Sequence, residues 1–368
     1  MIAATLPVQR PADAKLLVID AHGAIAHAPR TALPDYLRPG DVVIANDAAT
    51  LPASLHGVHV QTASPVEIRL AGWAPPMNDR AVRFHVVAFG SGDFHTRTED
   101  RRPPPQLYPG ERLALGPLTA TIERLLGHPR LALLRFDDSP DRFWAGLARH
   151  GRPIQYAHVS APLALWDVWA PLAGRPVAFE PPSAGFALDW QTMRVLRSRG
   201  VAFASLTHAA GISSTGDADL DARLPFDEPY RIPASAVCAI RRAKASGGRV
   251  VAIGTTVVRA LEHAASRGQL RPGDGIADQR LGPGGPLRVV DALFSGTHER
   301  GTSHYELLRA FTDDATLARA DSDLETHGFR THEFGDSVFV ERRRGLPPRM
   351  SVELSPAFAR RSQCPTRQ

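Results

Sequence analysis

The chain has 368 residues, more than the roughly 250–300 at which a single hydrophobic core stops growing, so two compact units are expected. Apolar residues make up 43% of it, which argues against a disordered chain, and no stretch approaches the roughly 18 uncharged apolar residues that cross a bilayer. The formal charge of +5 is carried almost wholly by arginine, since Lys15 and Lys244 are the only lysines; it is a weak pull toward polyanions such as RNA, and a bias that genome composition also produces.

Residues 15–20 (KLLVID) and 41–46 (DVVIAN) are short apolar runs bounded by turn residues, the pattern of strands buried on both faces. From about 64 to 147 the texture changes. Val66, Ile68 and Leu70 alternate with polar neighbours, as do Val82, Phe84 and Val86, and the runs 111–115, 118–126 and 131–136 follow between PP, PG and GP turns, which reads as a small antiparallel barrel. Helical spacing then takes over. Asp189 caps a helix with Trp190, Met193 and Leu196 on one face and Gly200 as its stop, and a strand VAFASL (201–206) follows. A helix from Ser235 to Gly247, a buried strand RVVAIG (249–254) and a helix TTVVRALEHAASRG (255–268) complete an α/β core into which the β-rich segment is inserted. Domains are expected at 1–63 with 148–340 (core) and 64–147 (barrel), and the Arg/Pro-rich end, 341–368, is expected to be a disordered tail.

Chemistry has a few places to sit. Gly254-Thr255-Thr256 lies where a strand feeds a helix, so free backbone N–H groups there either receive an anion or simply start a capped helix. Arg259 and Glu262, nearly one turn apart, are expected side by side. Asn46 and Asp47 end a buried strand, the usual rim of an α/β crevice, and the loop with Ser183 and Gly185 precedes a helix near it. His208, His298 and His304 are candidate proton carriers. Asp217, Asp219, Asp221, Asp227 and Glu228 read as a solvated acidic loop. No HExxH or similar metal spacing occurs, and Cys238 and Cys364 build neither a zinc cage nor a disulfide framework, so no metal is expected. The first residues lack a secretion signal, and a cytoplasmic protein is expected, away from membranes and monomeric.

Five segments in order carry a resemblance: LRPGDVVIANDAATLPASL (37–55), PPSAGF (181–186), GTTVVRALE (254–262), VVDALFSGTHERGTS (289–303) and GFRTHEFGDSVFV (328–340). Together they resemble the S-adenosylmethionine:tRNA ribosyltransferase-isomerase family of queuosine biosynthesis. The resemblance implies a distorted α/β barrel carrying an inserted β-barrel, with S-adenosylmethionine as co-substrate and no metal. The implied reaction moves the ribosyl part of that co-substrate onto a 7-deazaguanine base in tRNA, releasing adenine and methionine. It implies proton transfer by Glu228, His298 and His208, methionine or ribose held by Thr255, Thr256 and Arg259, and substrate contacts from Asn46, Asp47, Ser183, Gly185 and Asp336. The chain departs from the family pattern at Ala49 and Ser54, where the family has arginine, at Ala187 and Phe226, where it has histidine, and at Gly301, where it has lysine. These departures keep two alternatives open: cleavage of S-adenosylmethionine with a free 7-deazaguanine nucleoside or another small molecule as acceptor, and a non-catalytic RNA-binding relative.

Overall fold

The computed structural model describes residues 1–74 and 80–343. The two apolar runs form strands at Lys15–Ile19 and Val42–Asn46. Nine of the core strands form one mixed sheet, ordered Gly273–Ala277, Glu228–Ile232, Ala202–His208, Val42–Asn46, Val250–Ile253, Ala292–Gly296, Ser337–Glu341, Lys15–Ile19 and Ile25–Pro29, beside the two-stranded pairs Ile2–Ala3 with Arg330–Thr331 and Ala48–Thr50 with Arg175–Ala178. The four strands from Ala202–His208 to Ala292–Gly296 are parallel, so their carboxyl ends share a rim. Both faces are buried, as the uninterrupted apolar runs require. Val42, Ile44, Leu206 and Val250 pack with the helices Ala234–Ala245 and Thr255–Ala264, while Val43, Ala45, Val251 and Phe294 pack with Leu188 and Leu196. The helix Trp190–Ser198 starts as read, with the Asp189 carboxylate accepting from Thr192 N at 2.7 Å, and Gly200 follows in the left-handed region (φ +72°).

Six antiparallel strands close a barrel: Ser54–His59, Ser64–Trp73, Arg83–Phe89, Arg112–Leu115, Leu118–His128 and Leu131–Phe136. Val66, Ile68, Leu70, Phe84 and Val86 fill it, the alternation visible in the sequence. Closure brings Ser54–His59 onto Arg112–Leu115 at Gly57, where a Cβ would overlap the Ala114 carbonyl oxygen. The boundary expected at 64 is therefore corrected to Ser54. Its strand was hidden because glycine and two histidines, one of them the buried His59, interrupt the apolar alternation. A helix, Pro140–His150, follows the barrel and packs Phe143 and Leu147 against its apolar filling. The boundary expected at 341 also moves, because Glu341 is the last residue of a sheet strand and pairs with Arg249. Most of the tail, 344–368, lies outside the described residues. Among the described residues no helix is long and apolar enough to cross a membrane.

Candidate active site

A pocket opens at the carboxyl rim of the parallel strands. The sharp turn from Val250–Ile253 into the helix Thr255–Ala264 is made by Gly254 at φ +93°, a conformation that favours glycine. The turn places Thr255 and Thr256 at the helix N-terminus, facing the pocket. The same pocket is lined by Ser183 and Ala184 from the PPSAGF turn, Ser295 in the strand Ala292–Gly296, His298 after it, and Ser303 and His304 at the start of the helix Ser303–Leu308. The GTT turn and the SGTHERGTS segment thus share one cavity.

Glu228 is not in a solvated loop. It begins the strand Glu228–Ile232 and is 6% exposed, because the pairing of Glu228 with Ala277 draws it into the sheet. One oxygen accepts from Gly211 N at 2.6 Å, and the other forms an ion pair with Arg259. Burial raises the Glu228 carboxyl above its ordinary value, while Arg259 and the Gly211 N–H pull it down. Arg259 also donates to the carbonyls of Ala277, Phe226 and Gln279. The expected Arg259–Glu262 pair is therefore corrected. Glu262 turns to the other side and caps the backbone N–H groups of Arg288, Val289 and Val290. Neighbouring positions on a helix face can meet, but a buried guanidinium goes where several carbonyls and a carboxylate converge.

His208 is fully buried, and its Nε2 lies 3.5 Å from a Glu228 oxygen without hydrogen-bond geometry; neither ring nitrogen has a partner. Burial, and then the Arg259 charge, hold its imidazole well below the ordinary value. His298 is lowered likewise by burial, then by His304 and His332, and its Nε2 meets Ser295 Oγ at 2.9 Å. His304 stacks on it, ring centroids 4.7 Å apart, and is pushed down to about 4 by burial and Arg259. Near neutral pH these rings are uncharged, and burial makes each a weaker base than a free imidazole.

The remaining expected residues part company. Asn46 sits just behind the pocket, clamping His208 through both backbone groups and reaching Thr256 Oγ1 at 3.4 Å. The Asp47 carboxylate accepts from the hydroxyls of Ser205 and Thr207 and does not line the pocket. Gly185 is buried in the turn Ser183–Ala187, packed toward Ala170. Asp336 is 1% exposed and accepts from the backbone N–H groups of Lys15 and Arg330, bracing a turn away from the pocket. Replacing Asp336 by Ala is expected to lower stability by about 1–2 kcal/mol, because two part-buried backbone donors lose their acceptor, and to leave S-adenosylmethionine affinity unchanged. Thermal melts and titration calorimetry together check this, and a lost affinity in a folded variant would return Asp336 to the site.

Sequence reasoning missed Glu180, which precedes the PPSAGF turn and lines the pocket. Burial raises its carboxyl to about 6, against hydrogen bonds from Ser213 and Tyr156. The only signal was its position at the end of a run, VAFE, that leads into the turn.

A family model described as queuosine biosynthesis protein matches residues 1–340. The chain belongs to this queuosine biosynthesis family. Among its curated relatives is a protein of Synechococcus elongatus named S-adenosylmethionine:tRNA ribosyltransferase-isomerase, 31% identical over 340 residues and aligned over 89% of each chain. A relative of the same name from Citrifermentans bemidjiense is 32% identical, over 91% of this chain and 94% of its own. A crystal structure from Thermotoga maritima, titled S-adenosylmethionine tRNA ribosyltransferase, covers 92% of this chain and 96% of its own at 20% identity with a TM-score of 0.49. Two of the departures from the queuosine biosynthesis pattern are interior. Ala49 is buried, and the Ser54 hydroxyl donates to buried Glu67 at 2.8 Å, whose cations are Arg69 and Arg101.

Proposed function

We propose that this protein transfers and isomerises the ribosyl part of S-adenosylmethionine onto a 7-deazaguanine base of tRNA, releasing adenine and methionine. The observation that carries the reading is the convergence of the GTT helix terminus, the Glu228–Arg259 pair and the His298–His304 stack in one pocket of a chain whose relatives are named for this reaction. The backbone N–H groups at Thr255 and Thr256 receive the methionine carboxylate. The sulfonium is attracted by Glu180, and it acidifies the adjacent C5′ protons. A neutral imidazole, His298 with Ser295 orienting it, accepts one of those protons. Glu228, held by the Arg259 ion pair and the Gly211 N–H with His208 beside it, is the carboxylate placed to relay the proton that departing adenine needs. Apart from the backbone N–H groups of the helix terminus and His208 behind Glu228, these steps use side chains that line the pocket.

The test is incubation with S-adenosylmethionine alone, with 7-deazaguanine nucleosides, and with tRNA lacking the final modification, followed by assay of free adenine and methionine. Release only with tRNA is expected. Release with the nucleoside, or with neither acceptor, would move the function to a small-molecule reaction, and no release in any arm would leave a binding protein.

The pH profile carries a second expectation. As pH falls through about 6, Glu180 gains a proton and loses its attraction for the sulfonium, so kcat/KM for S-adenosylmethionine should fall. Glu180→Gln should weaken binding at every pH and remove that limb; a limb that stays in place in the variant would assign it to another group.

A further inference from the structure

The absence of metal spacing along the chain says nothing about histidines that the fold gathers from far apart. His158 comes from the connection after the helix Pro140–His150, and His332 and Glu333 come from the turn before the strand Ser337–Glu341. In space their ligand atoms all lie within 4.8 Å of one another. His158 Nε2 is 3.2 Å from a Glu333 oxygen, and the two imidazoles stack at 4.1 Å between centroids, 15° from parallel. The side chains of His158 and Glu333 are 11% and 17% exposed, while His332 is exposed and opens the cluster to solvent on one side.

The supporting shell is rigid. Asp336 ties the turn to Lys15 and Arg330 through two backbone N–H groups, and Gly335 N donates to His332 O at 3.0 Å. A Cβ at Gly335 would overlap the Arg330 carbonyl oxygen, so the turn is closed tightly. His332 itself is held at φ +69°, an uncommon conformation for a residue with a side chain. On the other side Tyr156 lies 6.2 Å from His158, parallel to within 10°, and its hydroxyl donates to Glu180. Tyr156 therefore links the cluster to Glu180, which lines the pocket.

We propose that His158, His332 and Glu333 form a binding site for a divalent transition-metal ion of the zinc class. Two imidazoles and one carboxylate are the borderline-soft donor set that zinc prefers, and three protein ligands leave a fourth position for water or a substrate oxygen. Ligands about 2.1 Å from a tetrahedral ion sit about 3.4 Å apart. Because the two rings now lie nearly parallel, binding requires one imidazole to turn until both nitrogen lone pairs point at the ion as the cluster contracts. A bound ion would pin the 332–335 turn to the connection carrying His158 and Tyr156, fixing one wall of the pocket. This site is independent of the proposed reaction, since its readout is binding.

A second cluster, His27, Asp323 and His327, also offers two imidazoles and a carboxylate and has two exposed members against one, with the His27 and Asp323 side chains 33% and 39% exposed. It supplies the internal control. Full-length protein stripped with a chelator is titrated with Zn²⁺ by calorimetry and assayed for retained zinc after gel filtration, and Co²⁺ is added to report the ligand geometry by visible absorption. The expected result is one retained equivalent, with Glu333→Gln and His158→Phe each weakening affinity at least about tenfold and His27→Ala leaving it unchanged. His332→Asn is chosen because asparagine tolerates positive φ, and it should weaken binding by a similar factor. Circular dichroism establishes that each variant is folded, and Glu333→Gln decides the question if a histidine variant is not. No retained zinc, retention unaffected by Glu333→Gln, or loss in His27→Ala would overturn the site.

Discussion

Glu228→Gln should lower adenine release by about two to three orders of magnitude, the range associated with loss of a positioned acid–base group. Glutamine keeps the shape and can still accept from Gly211 N, but it cannot supply a proton and it leaves the Arg259 charge buried without a counter-ion. Breaking a buried pair in this way costs about 3–5 kcal/mol, so a fall in melting temperature should accompany the loss of rate. Catalytic and structural effects are separated by adding Arg259→Met. Removing both charges should restore much of the stability while activity stays low. Turnover that survives in folded Glu228→Gln would remove this residue from the mechanism.

The largest effect on stability is expected in the barrel. Glu67 is 2% exposed and lies between Arg69 and Arg101, themselves 1% and 3% exposed, with the Phe89 ring 4.7 Å from the first guanidinium and 5.3 Å from the second. Glu67→Ala strands two buried guanidinium groups and should cost about 3–5 kcal/mol or more, much of the 5–15 kcal/mol that holds a typical domain together. Acid should act on the same group. Burial by itself would raise the Glu67 carboxyl, but the two arginines outweigh it and hold the group at about 2, below its ordinary 4.5. A depressed carboxyl contributes stability that is complete above about pH 4.5 and is lost as pH falls toward 2. The difference corresponds to about 3 kcal/mol. Urea midpoints measured across that range, for the parent and for Glu67→Ala, should converge as pH falls; parallel curves would show that the cluster does not couple to folding.

Much of the framework was legible because burial on both faces of a strand, alternation in a half-buried one and the caps of a helix are local properties. KLLVID and DVVIAN became core strands, Val66, Ile68 and Leu70 face the barrel interior, and Asp189 and Gly200 bound their helix. The ordered motifs likewise placed Thr255, Thr256, Glu228 and His298 around one pocket. Asp47 and Asp336 were misplaced for one reason: a carboxylate at a strand end serves equally well to cap backbone or hydroxyl groups, and only its neighbours decide.

The sequence by itself determined the α/β class, the inserted barrel and the family, and pointed to several residues that line the pocket, since each follows from periodicity or from motifs a few residues long. Only the tertiary structure decided that Arg259 takes Glu228 rather than Glu262, that Glu180 enters the pocket, and that His158 meets His332 and Glu333. Those are pairings across tens to hundreds of residues. Partner choice there is set by which donors and acceptors the packed sheet leaves buried together, and no local pattern encodes it.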